Sequence, residues 1–418
     1  MQTSFLDQPV TQLVPPSVVE PELSLQLQRR IAREFTPRWE QQWGGKFVLH
    51  GRVVGSEAVR LDGNDYLAVT GHQDIVEAQM AALRQNNEAV VQSGVFLLGD
   101  HPAHAFESAV AQWIGKEDGY LCQSGYAANM GLLQIIADEQ TPVYLDGLAH
   151  MSLWEGARAA KAPAYAFRHN DPEHLERQLQ THGPGVVVVD SVYSTTGALC
   201  PLREILDVVE RHNSMIVVDE SHSLGTHGPK GAGLCAELGL TDRVHFITAS
   251  LAKAFAGRAG FFTIPAAMRY FVLHNSYPNI FSSCLLPHEI AGLAATLEVV
   301  RRSDAERLRL HANTRRLRAS LSGLGYPIHQ GSQQIIALET GTEPATMVLR
   351  DQLEAHQIFG AIFCAPATSR NRAMVRLTLN AGLTGAEMDR IEQTARVLAP
   401  VLKPWDWPIA RRARTEQV

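Results

Sequence analysis

Five short apolar runs limit what this chain can fold into: VYL (143–145), VVVVD (186–190), MIVVD (215–219), VHFIT (244–248) and GFFTI (260–264). They are apolar at consecutive positions and not at alternate ones, so each belongs in a sheet covered on both faces. Helix-favouring stretches separate most of them, which is the order of parallel strands joined by crossover helices. The expectation is an α/β large domain with a mostly parallel sheet. Helical patterns at about 74–87, 102–115 and 125–137 accompany it. A long helix-favouring stretch at 287–322 then leads to a second alternation. There IIAL (335–338) and MVRLTL (374–379) follow or precede helices near 344–356 and 384–398, a smaller C-terminal α/β domain. The expected organisation is an N-terminal arm and helix over 1–60, a large domain over 61–300 and a small domain over 301–418. Residues 1–20, with three prolines, read as a loose arm, and 21–44 as polar and helix-favouring.

Composition narrows the function. The 418 residues suffice for roughly two to three domains, and 45% of them are hydrophobic, an ordinary globular content. A net charge of −6 argues against nucleic-acid or anionic-membrane partners, although Arg411, Arg412 and Arg414 make the tail locally basic. Five scattered cysteines without a CxxC pair support neither a disulfide framework nor a thiolate zinc site, and fit a reducing, cytoplasmic location. The N-terminus lacks a basic, then apolar, signal pattern, and no run is long and apolar enough to expect a membrane span. Asp219-Glu220-Ser221-His222 looks like a helicase box, but no GxxxxGK[ST] loop accompanies it. HExxH and GxSxG are absent, and nothing in the spacing of Asp146, His150, Asp219 and His222 demands a metal.

The segment SLAKAFAG (250–257) carries chemistry. It places Lys253 just past a strand, at the edge where α/β sheets hold their ligands, among small residues that let a flat ligand approach. A preceding run delivers Asp219 at its own end. An amine that forms an imine and a carboxylate that partners a pyridine nitrogen are the two groups a pyridoxal 5′-phosphate site needs. SGYAAN (124–129) opens a helix whose first N–H groups can hold a phosphate.

With these segments, the chain resembles the pyridoxal-phosphate-dependent α-oxoamine synthases over about 60–395. The resemblance is carried by NDYL (64–67), SGYAAN, DGLAHMSLWEG (146–156), SVYSTTGALCPL (191–202), VVDESHSLGTHG (217–228), SLAKAFAG, FSS (281–283) and VRLTLNAG (375–382). It implies the aspartate-aminotransferase fold (fold type I) and a role for each matched residue. Lys253 becomes the imine-forming lysine, Asp219 the partner of the ring nitrogen, and His222 a contact of the phenolic oxygen, with Ser194 nearby. His150 stacks on the ring. Gly125, Tyr126 and Ser250 hold the phosphate, and Ser282 and Ser283 reach it from a neighbouring subunit, which implies a homodimer with shared sites. Arg376, with Asn64, binds substrate, the arginine clamping the amino-acid carboxylate.

The pattern also departs from the family. Ser250 stands where threonine is usual, Arg258-Ala259-Gly260 replaces a Gly-Gly, and Ala103 replaces a histidine. LDGNDYL, GVFLLGDHPA, LCQSGYAANMGLLQ and SLAKAFAGRAG are most similar to bacterial α-hydroxyketone autoinducer synthases of quorum sensing. That branch implies decarboxylative condensation of a medium-chain acyl-CoA with a small amino acid such as 2-aminobutyrate or an S-adenosylmethionine-like one. Val95, Phe96, Leu97, Phe261 and Phe262 are the expected walls of the acyl site. The alternatives are another α-oxoamine synthase (of 8-amino-7-oxononanoate, aminoketobutyrate or aminolevulinate type), an aminotransferase of the same fold, or a catalytically inactive binding domain.

Overall fold

The computed structural model describes residues 22–85, 91–97, 99–328 and 333–409; the locally basic tail lies outside them. By its contacts the chain divides into two units, 1–50 and 51–418. In the first, Ser24 caps a helix over Leu25–Glu34 by accepting the Leu27 N–H. A short π turn at Arg38–Gln42 follows, and the Trp43 ring packs edge-on against Phe35 and Phe47.

The second unit holds two sheets. Its strands are β1 (Val59–Leu61), β2 (Asp118–Cys122), β3 (Val143–Asp146), β4 (Ala164–Phe167), β5 (Val186–Asp190), β6 (Met215–Asp219), β7 (Phe246–Ser250), β8 (Gly260–Ile264), β9 (Ile335–Gly341), β10 (Ile358–Phe363) and β11 (Ala373–Thr378). The larger sheet has the order β2-β8-β7-β6-β5-β3-β4, parallel throughout except for β8, which is antiparallel to both neighbours. Val186 to Val189 and Ile216 to Val218 are fully buried, as expected of strands covered on both faces. The smaller sheet has the order β1-β10-β11-β9, so a strand from before residue 62 completes a sheet made otherwise of C-terminal residues.

Three details differ from the sequence reading. β7 starts two residues later than VHFIT: Val244 ends the 3-10 turn Thr241–Arg243, and the Lys116 ammonium donates to the carbonyls of Thr241 and Val244 there. The stretch 287–322 is two helices, Pro287–Arg302 and Asp304–Gly323. They break at Ser303, where the Arg307 guanidinium satisfies the freed Val300 carbonyl at 2.7 Å. Phe261 and Phe262, expected to wall an acyl site, are fully buried core residues. Phe261 packs over Gly119, and Phe262 stacks on Tyr120 with ring centres 6.0 Å apart.

Two glycines permit a close approach between the turn after β2 and the end of β7. A Cβ on Gly125 would lie 2.5 Å from the Ser250 Cβ, and one on Gly260 would lie 2.1 Å from the Ser124 carbonyl oxygen. Gly260 pairs with Cys122 on one side and Ser250 on the other, so it draws the turn after β2 against the end of β7. Because backbone surrounds that position, Gly260→Ala should lower stability by about 1–3 kcal/mol, the usual range for overpacking. Chemical denaturation would measure it, and wild-type stability would show that the turn yields freely.

Candidate active site

Parallel pairing aligns Asp190 with Asp219 and Asp219 with Thr248, so β5, β6 and β7 end together. The loops leaving β2, β3, β5, β6 and β7 carry Ser124, His150, Ser194, His222 and Lys253, and all emerge at the carboxyl edge of the sheet. The turn after β2 comes first. Ser124 caps the helix Gly125–Ile136 by accepting the Ala127 N–H at 3.1 Å, which leaves the Gly125 and Tyr126 N–H groups in the first turn without an intrahelical acceptor. Ser250 lies against Gly125, and its own N–H is held by the Ser221 hydroxyl at 2.7 Å.

Asp219 is buried, and its two oxygens are separately occupied. Oδ1 accepts the Ser221 N–H at 2.8 Å, and Oδ2 accepts the Asn129 side-chain amide at 2.7 Å. His150 caps the helix Met151–Ala159 and remains exposed on one side, while its Nδ1 turns inward to the Ser152 hydroxyl at 2.7 Å. That leaves a ring face open to the site. Its pKa is lowered, first by desolvation, with Asp219 opposing and Lys253 reinforcing the shift. His222 is buried, hydrogen-bonded to the Tyr66 hydroxyl through Nδ1, and held well below the imidazole range by burial and then by Lys253 and Arg376.

Arg376, on β11, reaches across to the large sheet. Its guanidinium donates to the Ser194 carbonyl at 2.8 Å and to Asn64 Oδ1 at 3.0 Å, and lies 4.5 Å from the Phe363 ring centre. It is only 4% exposed, its Nε has no acceptor, and among the described residues no carboxylate pairs with it. A buried guanidinium without an anion calls for one from a ligand. Lys253 is part-buried; desolvation lowers its pKa most, the Arg376 charge lowers it further, and Asp219 acts the other way.

The structure therefore brings together Lys253, Asp219, His150, His222, Ser194, Asn64, Arg376, Gly125, Tyr126 and Ser250. Ser282 and Ser283 are exposed; the Ser283 carbonyl accepts the Gln123 side chain at 2.7 Å, beside the Ser124–Gly125 turn of the same chain. Asn129, Ser152 and Tyr66 are additional site residues that the sequence reading gave no role. Asn129 sits four residues after Gly125 on one helix, and that spacing alone puts both on one face. The donor set fits pyridoxal phosphate: a cradle at Gly125 that a Cβ would fill, a buried carboxylate oriented by two donors, and an amine inclined to lose its proton.

The helices Gln73–Arg84, Pro102–Ile114 and Pro287–Arg302 border an apolar cavity of about 710 Å³, lined by small residues such as Ala105, Ala109, Ala291 and Ala294. A narrower crevice shares Cys284, Leu285 and Ile290 with it and extends to Leu97 and Gln123. Phe96 points away from the core at 62% exposure.

The lowered pKa of Lys253 has a measurable consequence. The amine should become reactive with a midpoint below the ordinary 10.5, followed by peptide mass spectrometry of amine labelling in cofactor-free protein. Arg376→Met, which removes a cation, should move that midpoint up. Identical midpoints would show that the Arg376 charge does not reach the amine.

The comparisons agree with this geometry. Residues 56–393 match the family model for aminotransferase class I and II. A CAI-1 autoinducer synthase of Vibrio campbellii is 44% identical over 385 residues, covering 92% of this chain and 95% of that protein. An 8-amino-7-oxononanoate synthase of Anaeromyxobacter dehalogenans is 32% identical over 86% of this chain and 91% of its own length. Among solved structures, a serine palmitoyltransferase from S. paucimobilis with bound PLP–myriocin superposes with a TM-score of 0.83 at 22% identity, covering 90% of this chain and 99% of that one, which shows the shared fold. The chain belongs to the class I and II aminotransferase family and, within it, to the pyridoxal-phosphate-dependent, acyl-transferring α-oxoamine synthases.

Proposed function

We propose that this enzyme condenses a medium-chain fatty acyl-CoA with a small amino acid, 2-aminobutyrate or an S-adenosylmethionine-like one, to an α-aminoketone that is the precursor of an α-hydroxyketone autoinducer. The observation that carries the amino-acid half is Arg376, a buried guanidinium beside Lys253 with no carboxylate partner among the described residues. The likeness to a protein named CAI-1 autoinducer synthase supports the product class. In the net reaction the α-carbon bonds to the thioester carbonyl carbon, the CoA thiol leaves, and the amino-acid carboxylate departs as carbon dioxide.

When bound, pyridoxal phosphate supplies an imine partner for Lys253 and an electron sink for negative charge at the α-carbon. Gly125, Tyr126 and Ser250 hold its phosphate, and His150 covers its ring. Asp219 keeps a proton on the ring nitrogen, and His222 with Ser194 faces the phenolic oxygen. Arg376, steadied by Asn64, grips the substrate carboxylate with its planar fork. Lys253, with its proton affinity lowered by burial and Arg376, takes the α-proton once freed.

The apolar cavity of about 710 Å³ falls within the ~300–1,000 Å³ of small-molecule sites and accepts the acyl chain. Burial of each methylene contributes ~0.8 kcal/mol, so two methylenes change preference by roughly 15-fold, a window and not a single chain. Mass spectrometry of products from mixed acyl-CoAs and amino acids should show a medium-chain optimum. Filling the cavity with Ala105→Leu and Ala291→Leu should move that optimum to shorter chains. Best turnover with succinyl-CoA and glycine would overturn the substrate assignment, and an unmoved optimum would place the chain elsewhere.

Ser282 and Ser283, exposed at the surface beside the phosphate turn, serve a partner's cofactor in a homodimer. Mixing inactive Lys253→Ala subunits with inactive Ser282→Ala/Ser283→Ala subunits should restore part of the activity, since one hybrid site is intact. Sedimentation of a fully active monomer would refute shared sites.

A further inference from the structure

We propose that Asn129 and Ser152 are positioning residues that form one proton-ordered relay from Asp219 to His150, holding the carboxylate in place and the imidazole as its Nε2–H tautomer. The direction of every hydrogen bond follows from one that cannot be reversed. The Ser152 backbone N–H points at His150 Nδ1 at 3.3 Å, and a backbone N–H only donates, so Nδ1 accepts and carries no proton. The Ser152 hydroxyl, 2.7 Å from the same Nδ1, must then also donate to it. Having spent its proton, that hydroxyl accepts at its oxygen, and Asn129 Nδ2 supplies the donor at 2.9 Å. The second hydrogen of Asn129 Nδ2 goes to Asp219 Oδ2 at 2.7 Å. The opposite amide orientation would aim a carbonyl oxygen at a carboxylate.

Asn129 is 2% exposed and Ser152 fully buried, so water cannot take over either role. The groups facing His150 are Asp219 and Lys253, with Asp190 accepting its backbone N–H at 3.0 Å and the Tyr126 ring edge-on at 6.4 Å. With Nδ1 occupied from inside, the only proton-bearing nitrogen of the ring, Nε2, is the one left to the open side of the site. The same Asn129 amide that orders this chain removes one of the two proton-accepting positions of Asp219. The consequence for the cofactor rests on the reading above that Asp219 faces the pyridine nitrogen and His150 the ring.

Nitrogen NMR of full-length protein labelled at histidine tests the relay first without cofactor. His150, assigned with His150→Gln, should show an unprotonated Nδ1 and a protonated Nε2. Ser152→Ala, which keeps the backbone donor but loses the hydroxyl, should leave Nδ1 unprotonated and shift its resonance, and Ser152→Thr should restore the wild-type value. Pyridoxal phosphate is then added. Asn129→Ala and Asn129→Leu should shift the pH dependence of the bound cofactor's absorbance and lower kcat about 10- to 100-fold, the effect of losing a hydrogen bond to a charged group, with KM for the amino acid little changed. A merely structural role would lower the melting temperature and leave the absorbance titration in place. A proton on Nδ1 in the wild-type protein, or unchanged titrations in both folded Asn129 variants, would overturn the relay. Failure to make an aminoketone from acyl-CoA would sink the proposed substrates and leave the tautomer result standing.

Discussion

Parallel hydrogen bonding of β5, β6 and β7 puts Asp190, Asp219 and Thr248 side by side, and the site depends on that alignment. Side chains at the ends of neighbouring parallel strands share one edge, so loops far apart in the chain deliver an amine, a carboxylate and two imidazoles to one place. β8 makes the arrangement tight. Running antiparallel between β2 and β7, it joins the strand before the Ser124–Gly125 turn to the strand before the lysine, with only a glycine at the closest point.

Desolvation then sets the chemistry of the groups gathered there. Burial disfavours charge on Lys253 and His222, and the fixed Arg376 cation reinforces both effects. Asp190 shows the same physics in a carboxyl: burial and the adjacent Asp219 hold it well above the usual range. Asp219 beside it accepts two donors, one from backbone and one from Asn129. Arg376 bears its burial with two neutral acceptors and an aromatic face, an arrangement a substrate carboxylate would complete.

The strands legible in the sequence were those with continuous apolar runs. VVVVD, MIVVD and GFFTI match β5, β6 and β8 residue for residue. β4 went unread because it is a short edge strand with partly exposed AYAF, and β2 because its first residues, Asp118 and Gly119, are poor strand formers. Asp118 is held there by the Arg269 guanidinium from the start of the helix Arg269–Asn275, a contact no local pattern announces. Among site residues, Lys253, Asp219 and the glycine turn were readable because each ends or opens an element. Asn129 and Ser152 lie within the motifs, but a buried amide between a strand's end and a neighbouring helix acquires meaning only from its partners.

The sequence by itself determined the class of fold and the strands with continuous apolar runs, because periodicity and residue type are local properties. Family likeness, also a property of sequence, named the cofactor. Only the tertiary structure decided that Phe261 and Phe262 belong to the core, that β1 completes the C-terminal sheet, and that Arg376 reaches Ser194 and Asn64 from another sheet. It alone ordered the protons between Asp219 and His150. Those outcomes turn on burial and on hydrogen-bond direction between residues distant in the chain, and neither exists until the strands have paired.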